Sequence, residues 1–174
     1  MNRSVLVITG ALVLCAAAIL GALFIAEKRN ESSRTETYEE APPFSLPDSE
    51  GNSISLTEVD GKVKIINFWA SWSPYSKEEL ETLIALKDEY GKVLDIVALS
   101  RDHNKTEAVQ FLESNNLQRE LTFVFDEHDD YFNMMEGYAV PESIFLNKDG
   151  EVVFHEHKPL SYEEFEARVT AILE

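Results

Sequence analysis

The chain has 174 residues, enough for one folded domain and an additional segment, and 32 acidic against 15 basic side chains give it a formal net charge of −17. This balance argues against a nucleic-acid partner, because contacts to phosphate need lysine and arginine. The 44% share of apolar residues argues against a wholly disordered chain. Cys15 is the single cysteine, so the sequence excludes an internal disulfide and a cysteine metal site.

The N-terminal segment predicts a membrane anchor. Residues 5–26 contain no charged residue, and a helix of that length spans a hydrocarbon core of about 30 Å. A cleaved signal peptide is the alternative, but its apolar region is typically about 7–15 residues and no clean A-x-A site closes this run. Bulky Leu14 before Cys15 disfavours lipid attachment there. We therefore expect an uncleaved single-pass anchor at residues 1–26.

The next segment predicts a tether that leads into a folded domain. Residues 27–43 are polar, rich in Glu, Ser and Thr, and end in Ala-Pro-Pro, a composition typical of a flexible linker that stiffens at its end. The folded domain is expected at residues 44–174. It opens with two short alternating segments, 44–46 and 53–56, around a Gly-Asn turn, and these predict a β-hairpin.

The rest of the domain predicts an α/β fold. The near-continuous apolar run 63–69 is typical of a central strand covered on both faces. A helix is expected from Ser73 or Pro74 to about Tyr90, because serine favours the N-cap and proline the first helical position. Further strands are predicted at 93–99, 121–125, 143–146 and 151–156, and further helices at 104–115, 129–137 and 161–173. This order implies a mixed sheet with helices on both faces.

Two segments of this domain resemble a known family. Residues 65–80 read IINFWASWSPYSKEEL, in which a strand passes through a short turn into a helix, and residues 138–141 read YAVP before a hairpin. Together they resemble the thioredoxin-fold superfamily, most closely the membrane-anchored TlpA/ResA-like thiol-disulfide oxidoreductases of the redoxin type. The resemblance covers about residues 41–172. It implies a thioredoxin-like mixed β-sheet flanked by helices, with an N-terminal hairpin.

The resemblance also implies two catalytic cysteines that this chain lacks. The family carries W-C-x-x-C where this chain has Trp72 followed by Ser-Pro-Tyr-Ser, so Ser73 and Ser76 occupy the cysteine positions. A helix N-terminus stabilises a thiolate, which attacks a substrate disulfide before the second cysteine resolves the mixed disulfide. A serine hydroxyl hardly ionises at neutral pH and needs an adjacent base to act as a nucleophile. We therefore expect Ser73 to cap the helix and Ser76 to be a small, partly buried hydroxyl bonded to a nearby carbonyl.

The family resemblance assigns a groove beside these positions. It implies a cis Pro141 that, with the backbone of Val140, faces an extended substrate segment, and the flanking residues of the turn are expected to form an aromatic rim. The residues assigned to this partner groove are Trp72, Pro74, Tyr75, Val140 and Pro141. Glu142 stands where the family usually has Thr or Ser, which predicts an additional charge beside the groove.

Other charged groups carry weaker signals. The resemblance gives Glu79 a possible role in proton transfer, and the alternative is a solvated helix carboxylate. His155-Glu156-His157 places two imidazoles on one face of a strand, a spacing that can hold a metal, but two ligands favour a solvent-facing strand end. Residues 126–130 are acidic without the ligand spacing of an EF-hand and predict a solvated loop and the start of a helix. We predict no metal and no cofactor.

Two functions follow as alternatives. The first is a thiol-free thioredoxin-like domain that binds an extended segment of an envelope protein without exchanging disulfides. The second is a thiol-disulfide oxidoreductase whose catalytic cysteines have been substituted by serine in this sequence. Peroxidase chemistry of the peroxiredoxin branch also requires a thiolate, which the domain cannot supply because it has no cysteine.

Basic residues flank the anchor on both sides, so charge does not decide its orientation. The resemblance implies that the domain lies on the extracytoplasmic side of a bacterial membrane.

Overall fold

The computed structural model describes residues 40–58, 60–118 and 121–174. The predicted anchor at residues 1–26 and most of the predicted tether lie outside these ranges. Among the helices of the described ranges, none is both long and apolar enough to cross a bilayer.

The described chain contains seven strands and four helices. The strands are β1 (Ser45–Pro47), β2 (Ser53–Ser55), β3 (Val63–Trp69), β4 (Leu94–Ser100), β5 (Thr122–Phe125), β6 (Glu142–Leu146) and β7 (Val152–Glu156). The helices are α1 (Ser76–Tyr90), α2 (Lys105–Ser114), α3 (Asp130–Met134) and α4 (Tyr162–Leu173).

Five of these strands form a mixed central sheet in the order β5-β4-β3-β6-β7. β3 is parallel to β4, and β4 is parallel to β5. β3 and β7 both run antiparallel to β6. Phe68 near the end of β3 pairs with Glu142 at the start of β6. This register brings the turn after β3 and the Val140-Pro141 segment to the same edge of the sheet. β1 and β2 form the predicted hairpin as a separate two-stranded sheet.

Successive residues of β3 enter different hydrophobic cores because side chains of a strand alternate between the two faces of a sheet. Ile65 and Trp69 pack with buried residues of α1, α2 and α4. Ile66 and Phe68 pack with α3 and the N-terminal hairpin. β3 is buried at every position, as its apolar run predicts. The predicted mixed sheet with helices on both faces is therefore confirmed.

Most element boundaries agree closely with the sequence-based expectation, and two differ. The helix predicted from Ser73 or Pro74 begins at Ser76, with Tyr75 at the N-cap position and no side-chain cap. The predicted helix 129–137 is shorter because Glu136 has a φ of 55° and has left the right-handed helical region. The last helix begins with a capping box formed by Ser161 and Glu164.

Candidate functional site

The turn between β3 and α1 is fixed by a buried aspartate that follows β4. Asp102 is 2% exposed. Its Oδ1 accepts a 2.6 Å hydrogen bond from the Ser71 hydroxyl, and its Oδ2 accepts one of 2.9 Å from the Ser71 backbone N–H. The Ser100 hydroxyl also donates to Oδ2 at 2.9 Å. These three bonds hold the turn against the neighbouring strand and so position the residues that follow it.

Ser73 is held by the opposite loop rather than by its own helix. Its hydroxyl donates a 3.2 Å hydrogen bond to the backbone carbonyl of Val140, so it does not cap α1 as predicted. The Ser76 N–H donates to the Ser73 carbonyl at 3.4 Å, which closes a turn before the helix begins. The side chain of Ser73 therefore connects the two loops that form this edge of the domain.

Ser76 is fully buried, slightly more so than Ser73. Its hydroxyl oxygen accepts a 3.2 Å hydrogen bond from the Ala70 backbone N–H. We expected a partly buried hydroxyl that donates to a carbonyl. The structure differs in two ways: Ser76 is more deeply buried than expected, and its hydroxyl accepts a hydrogen bond from a backbone N–H. A hydroxyl engaged with backbone groups and lacking a basic neighbour gains no nucleophilic character.

The predicted rim is exposed around these two serines. The side chains of Trp72 and Tyr75 are 64% and 56% exposed, and Pro74 between them is also exposed. Tyr138, two residues before Val140, is 72% exposed. Large aromatic groups presented in this way are typical of contact surfaces, because an aromatic side chain supplies a large contact area.

The Val140-Pro141 peptide bond is cis, as the family resemblance implied. Val140 is half-buried and Pro141 is buried. The carbonyl of Val140 already accepts the bond from Ser73. The structure thus brings all five predicted groove residues to one edge of the sheet, while their role in binding stays a prediction.

Glu79 is buried in α1, only 2% exposed, which rules out the alternative of a solvated helix carboxylate. Its Oε1 accepts a 2.6 Å bond from Asn67 Nδ2, and its Oε2 accepts a 2.8 Å bond from the Leu160 N–H. Burial raises the pKa of Glu79 from 4.5 to about 7, although the bonds from Leu160 and Asn67 oppose the rise. A carboxyl group with this pKa can exchange a proton near neutral pH.

Glu142 directly follows Pro141, and the additional charge predicted beside the groove is a buried one. Its side chain is fully buried. Oε1 lies 2.5 Å from His155 Nε2 and 3.0 Å from His157 Nδ1. Burial by itself would raise the pKa of Glu142, but the close contacts and charges of the two histidines outweigh burial and hold this pKa below its usual value.

The prediction of a solvent-facing strand end at residues 155–157 was wrong for its first residue. His155 is 8% exposed and its ring lies 4.0 Å from that of His157, centroid to centroid. His157 is partly exposed and stacks on Tyr138 at 4.6 Å. The sequence signal was the i, i+2 spacing of the histidines, but nothing in the pattern indicated that Glu142 would join them.

The acidic segment 126–130 leads into the start of α3, as expected, but its first residue is buried and not solvated. Asp126 is 1% exposed and accepts hydrogen bonds from the backbone N–H groups of Asp130, Tyr131 and Phe132 at 2.8, 2.9 and 3.1 Å. These are the first N–H groups of α3, which have no partner inside the helix. Burial raises the pKa of Asp126 even though these three bonds act in the opposite direction.

A mixed sheet in this strand order, with helices on both faces and a cis proline beside the strand–helix turn, defines a thioredoxin-fold protein. The model of the AhpC/TSA family matches residues 37–155, more than half of the chain. The chain belongs to the AhpC/TSA family and, within it, to the TlpA/ResA-like group of redoxins.

Characterised relatives agree with this assignment. The chain is 28% identical over 155 residues to the thiol-disulfide oxidoreductase ResA of Bacillus cereus, covering 87% of this chain and 86% of that protein. It is also 28% identical over 138 residues to ResA of Halalkalibacterium halodurans, covering 77% and 76% of the two chains.

Solved structures of similar proteins share the fold. StoA from Bacillus subtilis superposes with a TM-score of 0.63 at 23% identity, over 74% of this chain and 97% of that one. A thiol-disulfide oxidoreductase from Bacteroides fragilis gives a TM-score of 0.66 at 22% identity, over 76% and 98%.

Proposed function

We propose that this chain is a membrane-anchored protein whose thioredoxin-like domain has no thiol and binds an extended segment of an envelope protein without exchanging disulfides. Residues 1–26 serve as the anchor, residues 27–43 as the tether, and residues 44–174 as the binding domain. The domain lies on the extracytoplasmic side, by analogy with the TlpA/ResA-like group.

One observation carries the proposal. The surroundings of the family's reactive centre are kept, with Trp72 and Tyr75 exposed and Pro141 in the cis form. The two positions that would perform the chemistry instead hold the hydroxyls of Ser73 and Ser76, and both hydroxyls are engaged with backbone groups. A surface of this kind supports binding and lacks the sulfur atoms that disulfide exchange requires.

Serine hydrolase chemistry would be another function for Ser73 or Ser76, but the hydrogen bonds of these two serines argue against it. A serine nucleophile needs a base within hydrogen-bond reach. In the described part of the chain, the side-chain bonds recorded for the two serines go to Val140 and Ala70 backbone atoms, and none goes to a histidine or carboxylate.

A disulfide-reduction assay tests the loss of redox function. The purified full chain, supplied with dithiothreitol as electron source and insulin as substrate, should reduce insulin no faster than dithiothreitol does by itself. The matched control is the double variant Ser73→Cys/Ser76→Cys, which restores the motif on the same scaffold and should accelerate the reaction. Acceleration by the unaltered chain would contradict the proposal.

Site-directed crosslinking tests the binding role. A photoreactive phenylalanine analogue at Tyr75 should crosslink the chain to a specific envelope protein when membranes are irradiated. The same analogue at Asp88, an exposed position on α1, serves as the control and should not give that product. Trp72→Ala, added to the chain that carries the analogue at position 75, should reduce the yield of the crosslinked product. Equal products from positions 75 and 88 would argue against a groove at this edge.

The second candidate is a thiol-disulfide oxidoreductase in which serines replace the catalytic cysteines. It is favoured by Glu79, whose buried carboxyl has a pKa of about 7 and which follows Ser76 by three residues in α1, since a thiol at that position could use its proton. The codons for residues 73 and 76 in the source organism's gene decide between the candidates. Cysteine codons would establish the second, and serine codons would remove it.

Exposure of the domain to externally added protease tests its location. In intact cells whose outer barriers have been made permeable, a protease should degrade residues 44–174 and leave a cytoplasmic marker protein intact. Protection of the domain until the inner membrane is disrupted would place it on the cytoplasmic side instead.

A further inference from the structure

A buried carboxylate and two imidazoles converge on one point beside the cis-proline loop. The ligand atoms of Glu142, His155 and His157 all lie within 4.8 Å of one another. Both imidazole nitrogens approach the same oxygen, Oε1, at 2.5 and 3.0 Å. The three residues come from β6, β7 and the residue just beyond β7, so an antiparallel pair of strands brings them together.

The other carboxylate oxygen is held by the backbone. Oε2 of Glu142 accepts hydrogen bonds from the N–H groups of Tyr138 and Ala139, each at 3.2 Å. These bonds fix the rotation of the carboxylate and leave Oε1 directed towards the imidazoles. Backbone donors that orient a carboxylate in this way are typical of the outer shell of a metal site.

The contact with His157 leaves a nitrogen without a proper partner. Its Nδ1 is shielded from solvent and lies 3.0 Å from Oε1, yet within the described residues it has no partner with hydrogen-bond geometry. A buried polar atom of this kind carries a desolvation cost unless another group satisfies it. A cation between the three ligand atoms would satisfy this nitrogen and the carboxylate together.

We propose that Glu142, His155 and His157 form a binding site for a divalent first-row metal ion, with Zn²⁺ as the preferred occupant. Two imidazoles and one carboxylate are a donor set that Zn²⁺ accepts, with water or a partner's ligand in the remaining position. This site is separate from the serine positions and does not depend on the proposed binding function.

The geometry requires only a small adjustment. Tetrahedral ligands at zinc bond lengths of about 2.0–2.1 Å lie about 3.3 Å apart. Oε1 is 2.5 and 3.0 Å from the two nitrogens, so each pair must separate by less than about 1 Å to admit the ion. On binding, each imidazole keeps one ring proton and supplies a lone pair from its other nitrogen, and any proton held between the ligands is released.

The site also has a route of entry. The side chain of His157 is 32% exposed, whereas those of Glu142 and His155 are 0% and 2% exposed. Tyr138 stacks over His157 and is itself largely exposed. An ion can therefore enter past the ring of His157 and reach the buried carboxylate without opening of the sheet.

Zinc titration of the full chain tests the proposal. The protein is purified without a histidine tag, carries Cys15→Ser so that its one thiol cannot bind zinc, and is stripped with a chelator. Competition with a chromophoric indicator should then give one tight Zn²⁺ per chain. Glu142→Gln replaces the charged ligand oxygen with a neutral amide, and His157→Ala removes a ligand, so each should weaken binding by at least about 10–100-fold, the loss that follows removal of an outer-shell partner.

A matched variant and a spectroscopic signal distinguish the site from general histidine binding. His128→Ala removes a histidine outside the cluster and should leave the affinity unchanged. Co²⁺ in place of Zn²⁺ should give the visible absorption of a low-coordinate ion in the parent chain and not in His157→Ala. Glu142→Gln removes a buried charge, so circular dichroism is used to check that this variant folds. If Glu142→Gln is unfolded, the result with His157→Ala decides, because the side chain of His157 is partly exposed.

Two outcomes would overturn the proposal. One is the absence of saturable Zn²⁺ binding in the parent chain. The other is equal affinity in the His157→Ala and His128→Ala variants, which would show that the three residues form a histidine–carboxylate ion pair without a role in metal binding.

Discussion

Glu79 couples its proton to the stability of the fold. Its pKa is raised from 4.5 to about 7 by burial, so the folded protein holds this proton more tightly than the unfolded chain. The stability that the proton provides is fully present below about pH 4.5 and is lost as the pH rises through 7. This corresponds to a decrease of about 3 kcal/mol in the free energy of unfolding.

The Glu79→Gln variant isolates this effect. The amide does not titrate, so the difference in unfolding free energy between the two proteins should change by about 3 kcal/mol between pH 4.5 and about pH 8. Urea unfolding at a series of pH values measures it. Subtracting the unfolding free energy of the variant from that of the parent protein at each pH removes the contribution of the other titrating groups. A difference that does not vary with pH would contradict the raised pKa of Glu79.

Asp126 stabilises the start of α3 with three backbone hydrogen bonds. Asp126→Ala leaves those N–H groups without their acceptor at a buried position, which should lower the free energy of unfolding by about 3 kcal/mol. Asp88→Ala removes an exposed carboxylate from α1 and should change it by less than about 0.5 kcal/mol. Chemical denaturation of both variants checks this, and equal effects would show that the buried bonds add nothing.

Three acidic side chains are buried although carboxylates usually face solvent. They are Glu79, Asp126 and Glu142. Glu79 accepts a hydrogen bond from the Leu160 N–H, 81 residues away, and Glu142 contacts His155, 13 residues away, and a local pattern does not contain such pairings. Asp126 differs, because its donors are the nearby N–H groups of residues 130–132. The exposed rim at Trp72 and Tyr75 was predictable because it depends on local turn chemistry.

At the scale of whole elements, the sequence predicted the strands and helices well because apolar runs and caps are local signals. The beginning of α1 was the exception. Ser73 and Pro74 are favoured starting residues, yet the Ser73 hydroxyl donates to Val140, 67 residues away, and the helix starts at Ser76. A tertiary contact thus displaced a local cap at the candidate functional site.

The cap of α4 is by contrast intact and testable. Ser161 accepts a hydrogen bond from the Glu164 N–H, and the Glu164 carboxylate accepts one from the Ser161 N–H. Ser161→Ala should lower the free energy of unfolding by about 1 kcal/mol. This helix carries Phe165 and Val169 into the core, so the loss should appear in global unfolding.

Ser114→Ala is the control for that prediction. Ser114 is the last residue of α2 and is exposed, so the substitution removes a hydroxyl without removing an N-cap. It should leave the unfolding midpoint nearly unchanged. A similar loss in both variants would show that the capping box of α4 does not contribute specifically.

At the scale of the whole molecule, the net charge of −17 opposes the compact state through repulsion between like charges. Salt screens this repulsion, because the Debye length falls from about 30 Å at 0.01 M to about 8 Å at 0.15 M ionic strength. We therefore expect the thermal midpoint of the full chain to rise with sodium chloride over this range. Differential scanning fluorimetry at constant pH measures the rise.

Lys148→Glu tests whether net charge is the cause. Lys148 lies exposed in the turn between β6 and β7, and the substitution changes the net charge from −17 to −19, since one positive charge is replaced by one negative charge. The variant should have a lower midpoint at low salt and a steeper rise with salt, converging on the parent protein where screening is nearly complete. A midpoint that falls with salt in both proteins would mean that attractive ion pairs, such as Arg101 with Asp129, outweigh the overall repulsion.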